Sequence, residues 1–195
     1  MIADLVTEVR AALPAGLTAR ALTLDDVDLY LSLTARAADF FETYDGGMPS
    51  REALLADMTA LPPGTSPDAK TLVGTFRGDE LVAYLDVVAG YADGHTWYIG
   101  LLLIAATERG QHLGAALAGA TGRAAACAGA TRLMMGVYDT NAPARAFWTR
   151  CGFSPDGHVP DYVNRGGQIQ PVTRFAKGLI PPGAPASTSE SGCRT

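Results

Sequence analysis

Apolar residues recur at positions 2, 5, 6, 9 and 13, the spacing of one helix face over Ile2 to Leu13, and Pro14-Ala15-Gly16 ends that segment. Leu17 to Leu22 reads as a first strand. Thr23, with Asp26 three residues on, is a capping signal for a helix running to about Ala38, Asp standing where Glu or Gln is usual. Asp39 to Ser50, polar apart from its aromatics and carrying Gly46-Gly47, reads as a loop. Arg51 to Ala60 reads as a second short helix, stopped by Pro62-Pro63-Gly64. Three strand-like runs follow: Thr71 to Phe76, Leu81 to Val88 and Thr96 to Ile104. The turn Arg77-Gly78-Asp79 and the loop Gly90 to Gly94 join them into an antiparallel meander. After Gly114 the period changes to that of a long alanine-rich helix. Arg132 to Tyr138 is then a strand, Pro143 to Arg150 a helix and Val172 to Leu179 a closing strand. The order is strand, helices, three strands, helix, strand, helix, strand, which predicts a mixed α/β sheet rather than a strictly alternating one.

A chain of 195 residues fits one domain, taken as 1–180 with a helical extension over about 1–14. The tail 181–195, rich in Pro, Ser, Gly and Thr, is expected to be disordered. Hydrophobic residues make up 48%, enough for a core, and charged residues 18%. The net charge of -5 and the lack of any basic run argue against nucleic acid and slightly favour a cationic or neutral acceptor. No window reaches the ~18 uninterrupted apolar residues of a membrane span, so no membrane partner is expected. Asp4 and Glu8 interrupt the apolar positions of the first segment with no basic stretch before them, so no secretory signal is expected. The cysteines, Cys127, Cys151 and Cys193, have no metal-type spacing; reduced thiols in a cytoplasm and no metal are expected.

The stretch from Ile104 to Ala115 follows a buried strand and opens a helix. Helix-start N–H groups lack internal partners and carry partial positive charge, so small residues here would let a pyrophosphate rest on the amides. Arg109 could add charge or brace the loop. A plain strand-to-helix turn is the alternative for such a lone glycine motif. The run Arg109, Gly110, Gln111, His112, Leu113, Gly114 resembles the acetyl-CoA signature of the GNAT superfamily of N-acetyltransferases, with His112 in place of the central glycine. Downstream, Asn141, Ala144, Phe147-Trp148 and Gly152-Phe153 resemble a second block of that family. These motifs cover about 104–115 and 141–153 of a resemblance running from Leu17 to Leu179.

The resemblance implies a central, mostly antiparallel twisted sheet of about six to seven strands with a V-shaped splay, flanked by about four to five helices. It implies that acetyl-CoA, the co-substrate, lies in the splay between Thr96 to Ile104 and Arg132 to Tyr138. The pantetheine arm would pair with backbone at Leu102, Leu103 and Ile104. The phosphates would meet Arg109 and the segment Gly110, Gln111, His112, Leu113, Gly114 and Ala115. Asn141 would reach the arm as well as cap its helix, with Phe147 beside it. The backbone amide near Leu103 would hold the oxyanion.

Acetyl transfer to an amine also needs a base for an ammonium of pKa ~10 and a proton or hydrogen bond for the leaving thiolate. The family's frequent tyrosine acid falls at Trp148, whose indole can donate a hydrogen bond but is no acid at neutral pH. Tyr138 is a substitute donor or, alternatively, a half-buried strand aromatic. A frequent glutamate position of the family holds Gly136. Asp86, on one face with Tyr84 and Val88, is a candidate base, acting directly or through water, or else a hydrogen-bonded structural aspartate. His95 and Glu108 are read as exposed loop residues. The acceptor pocket is expected from Asp39 to Ser50, the turn after Val88, and Asp156 to Gln168, with Phe40, Tyr44, Asp45, Trp97 and Tyr162 as its lining. The expected activity is transfer of acetyl from acetyl-CoA to a primary amine of a small molecule, peptide or protein by direct attack in a ternary complex. An acetyl-CoA sensor with the same fold and little turnover is the alternative, and a monomer or a homodimer are both open. A Rossmann-type nucleotide site fits less well, because the glycine loop follows three consecutive strands and no acidic residue ends a strand ~20 residues on.

Overall fold

The structure is a computed structural model that describes residues 2–181; most of the expected disordered tail, and Cys193 with it, lies outside the described residues. Helix α1 (Ile2–Ala12) buries Leu5, Val6 and Val9. Strand β1 (Thr18–Ala21) leads to a single 3-10 turn, Leu24–Asp26, closed by the expected capping box, with the Thr23 N–H donating to Asp26 Oδ2 at 2.9 Å. Helix α2 (Val27–Ala35) then buries Val27, Tyr30 and Leu33. It stops three residues before the expected end, and a separate helix α3 (Ala38–Tyr44) occupies the start of the segment read as a loop. Helix α4 (Arg51–Thr59) is capped by Ser50, whose hydroxyl accepts from the Ala53 N–H at 3.2 Å.

The meander is β2 (Lys70–Arg77), β3 (Glu80–Tyr91) and β4 (Thr96–Ile104), followed by α5 (Leu113–Cys127), β5 (Arg132–Tyr138) and α6 (Ala142–Arg150). An unexpected edge strand, β6 (Ser154–Val159), precedes β7 (Val172–Gly178). The seven strands run in the order β1-β2-β3-β4-β5-β7-β6. All pairs are antiparallel except β4 and β5. Among the described residues six α-helices cover the sheet, one more than the largest number expected, because α3 is separate.

Each face of the sheet has its own core. On one, Leu5 and Val9 of α1 and Leu117, Ala120 and Ala124 of α5 meet Leu85, Val87, Ile99 and Leu133. The alanines of α5 let it lie close to the strands. On the other, Val27, Tyr30, Leu33, Phe41 and Leu54 pack on Leu72, Leu81, Tyr84 and Leu103.

Two features of β4 open the sheet. It pairs with β5 only from Thr96↔Arg132 to Ile99↔Met135, so the strands part beyond Ile99 and Met135. There Gly100 is an extra residue against β3, because Asp86 pairs with Leu101 and Val87 with Ile99. Such a bulge bends its strand. It also moves Leu102 and Ile104 to the face that Trp97 and Ile99 occupy, and Leu101 and Leu103 to the other.

Candidate active site

Where β4 and β5 part there is a cleft of about 660 Å³. Leu101 and Leu102 of β4, Gly136 to Tyr138 of β5, Asn141 before α6, and Ala144 and Trp148 of α6 line one part. Phe40, Asp45, Asp57, Lys70, Asp86 and Arg165 line the other. A channel along a splayed pair and a polar pocket are thus one continuous space.

The loop between β4 and α5 is held from within. The Arg109 Nε donates to the Ile104 carbonyl at 3.0 Å, and its two terminal nitrogens grip Asp39 at 2.5 and 3.0 Å. Of the two roles open to Arg109, bracing is the one this geometry displays. The guanidinium holds the Asp39 carboxyl below the usual carboxylate range. Gln111 Nε2 donates to the Thr107 carbonyl at 3.0 Å. Gly110 and His112 both have positive φ, 76° and 63°. His112 therefore sits in the left-handed conformation that the family's central glycine adopts most easily. It is the N-cap of α5 and offers the helix no side-chain hydrogen bond. The first helical bond is from Ala116 N–H to the His112 carbonyl, so the amides of Leu113 to Ala115 have no carbonyl one turn back. A Cβ on Gly114 would lie 3.2 Å from both the Ile104 side chain and the Phe147 ring, so a small residue here lets α5 seat closely against β4 and α6. Uncapped amides, a positive helix end and minimal side chains at the mouth of the splay fit a pyrophosphate and its pantetheine arm.

Asn141 is 8% exposed and caps α6, its Oδ1 accepting from the Ala144 N–H at 3.0 Å, while the residue lines the cleft. Trp148 is wedged edge-on between Phe147 and Phe153, with centroids 4.8 and 5.2 Å away, and one part of it reaches the cleft wall. Tyr138 donates its hydroxyl to Asp45 Oδ1 at 2.7 Å. Burial first, then that bond and the Asp45 charge, push the phenol above its ordinary range, so it keeps its proton.

Asp86 projects from β3 into the polar end. Lys70 Nζ donates to Asp86 Oδ2 at 2.8 Å and to the Asp57 and Ala60 carbonyls at 3.0 and 2.7 Å. Asp86 Oδ1 is buried with no protein partner. Burial pushes this carboxyl up to about 6, against the opposing pull of Lys70. Gly100 leaves it room, since a Cβ there would stand 3.0 Å from Oδ2. Farther along, Arg165 bridges two carboxylates, its Nε donating to Asp45 Oδ2 at 2.7 Å and its Nη1 to Asp57 Oδ2 at 2.5 Å. Asp57 is raised, chiefly by burial.

The structure brings Phe40, Asp45, Tyr138, Tyr162 and Asp86 to one cleft. Tyr44 stands behind it, its ring 6.1 Å from Phe40 and its carbonyl accepting from Asn164. Trp97 is elsewhere: it is 5% exposed on the opposite face of β4, in the α1–α5 core, and its neighbour Tyr98 lines the cleft instead. The reason is strand alternation. Leu103 is buried in the second core, so only its backbone can serve the cleft. His95 is exposed as expected, but Glu108 is buried, in a two-pronged pair with Arg77 at 2.9 and 2.8 Å. Lys70, Asp57 and Arg165 escape sequence reasoning. Lys70 had a weak signal, a cation opening an apolar strand opposite the one that carries Asp86. Asp57 and Arg165 come from distant segments with no local pattern.

The model of the acetyltransferase (GNAT) family matches residues 35–153. Among solved structures, an acetyltransferase from Thermus thermophilus is 26% identical with a TM-score of 0.67, covering 84% of this chain and 97% of its own. The ribosomal-protein-S18-alanine N-acetyltransferase of Escherichia coli superposes with a TM-score of 0.65 at 14% identity, covering 87% of this chain and 97% of its own. A variant spermidine N-acetyltransferase of Vibrio cholerae gives 0.61 at 17% identity, covering 85% and 95%. At those identities the last two are likenesses of fold. No curated protein matches the chain in sequence.

Proposed function

This chain belongs to the GNAT family of acetyltransferases, and on that footing we propose that it moves an acetyl group from acetyl-CoA to a primary amine by direct attack in a ternary complex. The observation that carries this reading is the position of Asp86. It is a buried carboxylate with one committed and one uncommitted oxygen, in the same cleft as the β4–β5 splay. Acetyl-CoA, when bound, supplies the activated acetyl group. The amides of Leu113 to Ala115 would hold its phosphates, and the strand backbone from Leu102 to Ile104 with Asn141 would hold its arm. Asp86, ionised above about 6, would accept the proton of the incoming ammonium. Alignment of the two reactants by the cleft would supply much of the acceleration, up to roughly 7–11 kcal/mol.

The test is thermal unfolding with acetyl-CoA, with NADH and ATP as controls. A ligand at ~100 times its Kd adds about 2.7 kcal/mol. A rise in Tm with acetyl-CoA alone supports the reading; no rise at saturation removes it. A second reading, a sensor without turnover, is favoured by Trp148 at the family's acid position and by Tyr138 being committed to Asp45. Released thiol in the presence of an amine separates the two.

A further inference from the structure

The acceptor end of the cleft carries its own description of the amine it takes, given the acetyl-transfer reading on which this inference rests. We infer that the acceptor is a monocationic amine with an apolar body and no acidic group, seated ammonium-first against Asp86.

Charge is the first ground. The ionisable acids and bases lining the cleft, its tyrosines aside, are Asp45, Asp57, Asp86, Lys70 and Arg165, three carboxylates against two cations. Both cations are already engaged by carboxylates of the cleft. All three donors of Lys70 are spent, on the Asp57 and Ala60 carbonyls and on Asp86 Oδ2. Arg165 is clamped between Asp45 and Asp57. An acidic substituent would enter a buried space already holding one uncompensated negative charge. One ammonium balances that charge; the second ammonium of a diamine or polyamine would find no further carboxylate in excess.

Unmet hydrogen bonding is the second. Asp86 Oδ1 and the hydroxyls of Tyr30 and Tyr84 are buried without a protein partner. Tyr84 shares a strand face with Asp86, and the Tyr30 ring stacks on it with centroids 4.0 Å apart and planes 1° apart. Exposures of 0% and 1% put the two phenols at the inner end of the cleft. Burial keeps both protonated and neutral. An ammonium offers three donors, and the Asp86 carboxylate oxygen and the two hydroxyl oxygens can each accept one.

Shape is the third. Beyond this inner end the wall is aromatic: Phe40 lies 6.4 Å from Tyr138 and Tyr162 lies 5.9 Å from Tyr138, centroid to centroid. These faces suit an alkyl or aryl body and reward a nearby cation.

The test is calorimetric titration of the full chain, with and without coenzyme A, using 2-phenylethylamine, phenylalanine, 3-phenylpropionate and spermidine. We expect 2-phenylethylamine to bind at least about tenfold tighter than phenylalanine, which adds only a carboxylate to be buried without a partner. We expect no measurable binding of 3-phenylpropionate, weaker binding of spermidine, and severalfold weaker 2-phenylethylamine in Tyr84→Phe and Asp86→Asn. Phenylalanine or spermidine binding as tightly as 2-phenylethylamine would overturn the inference. So would unchanged affinity in both variants, or no 2-phenylethylamine binding in either cofactor state. The readout needs no acetylation, so a failure of acetyl-CoA to raise the Tm would sink the transfer reading while leaving this order of affinities to stand or fall by itself.

Discussion

A single ion pair, Asp86 with Lys70, sets the chemistry this cleft can do. Two influences oppose ionisation of Asp86, burial by excluding water and Asp57 by its charge; Lys70 alone favours it. Because the folded-state pKa is raised, the stability linked to this carboxyl is present below the ordinary carboxylate range and lost as pH rises through about 6. The ionised form needed at neutral pH is therefore held at some cost to the fold. As a base, Asp86 should give kcat/KM an acidic limb near 6, and Asp86→Asn should lower kcat by roughly 10²–10⁴ with acetyl-CoA affinity kept. Lys70→Met removes the one favourable charge, so the limb should move to higher pH and the activity return in alkaline buffer. Lys70→Arg should restore much of the original profile. A limb that stays in place in Lys70→Met would make Lys70 a brace for the end of α4 and nothing more. Asp86 was legible in the sequence because a carboxylate in an apolar strand demands a reason. Lys70 was not, since its meeting with Asp86 depends on the β2–β3 register. Trp97 was misplaced for a related reason: alternation sends it to the core and Tyr98 to the cleft.

Elements place those residues, and the decisive one is the break in β4. The bulge at Gly100 and the parting from β5 after Ile99 open the cleft and leave space over Asp86. Most elements were visible as periodicity, and β5 lies where its apolar run predicts. Helix α3 was hidden because its N-cap, Ala37, gives no side-chain bond and a glycine pair follows; Phe41, wholly buried, holds it through tertiary packing. Strand β6 was hidden because Ser154-Pro155-Asp156-Gly157 has neither alternation nor β-propensity, and as an edge strand it borrows its order from β7. At the loop, the motif was legible, and the backbone shows what its one departure costs. His112 holds φ 63°, at a cost of about 1–2 kcal/mol for a residue with a Cβ. His112→Gly should therefore leave Tm unchanged or higher and bind acetyl-CoA at least as well. His112→Val, branched at Cβ, should lower stability by about 1–2 kcal/mol and weaken acetyl-CoA. Equal melting of both variants would mean the loop relaxes out of the left-handed form at no cost.

At the scale of the whole molecule, the cleft is closed by segments far apart in the chain. The family match ends at residue 153. Tyr162 and Arg165, which complete the polar end, come from beyond it, so the acceptor side could not be read from the shared motifs. A short link after α2 delivers α3, and α3 in turn delivers Asp45. The segment after α3 and the loop before β7 meet backbone to backbone. The Gly166 N–H donates to the Asp45 carbonyl at 3.2 Å, and Asn164 Nδ2 to the Tyr44 carbonyl at 3.2 Å. Gly46, with φ 86°, allows this approach: a Cβ there would stand 2.5 Å from Gly166 Cα. Gly46→Val should push the two segments apart, at about 1–3 kcal/mol of overpacking. Asp45 and Arg165 would then lose their mutual position, while the β4–α5 loop is tied to Asp39 at the start of α3 and not to the end of α3 that moves. The expected result is a KM for the amine raised by about tenfold or more, with acetyl-CoA affinity within about twofold of the parent. If the amine KM is unchanged in a folded Gly46→Val protein, this closure does not shape the acceptor site. If acetyl-CoA affinity falls as steeply as amine affinity, the two ends of the cleft are one cooperative unit rather than two sites that meet at Asp86.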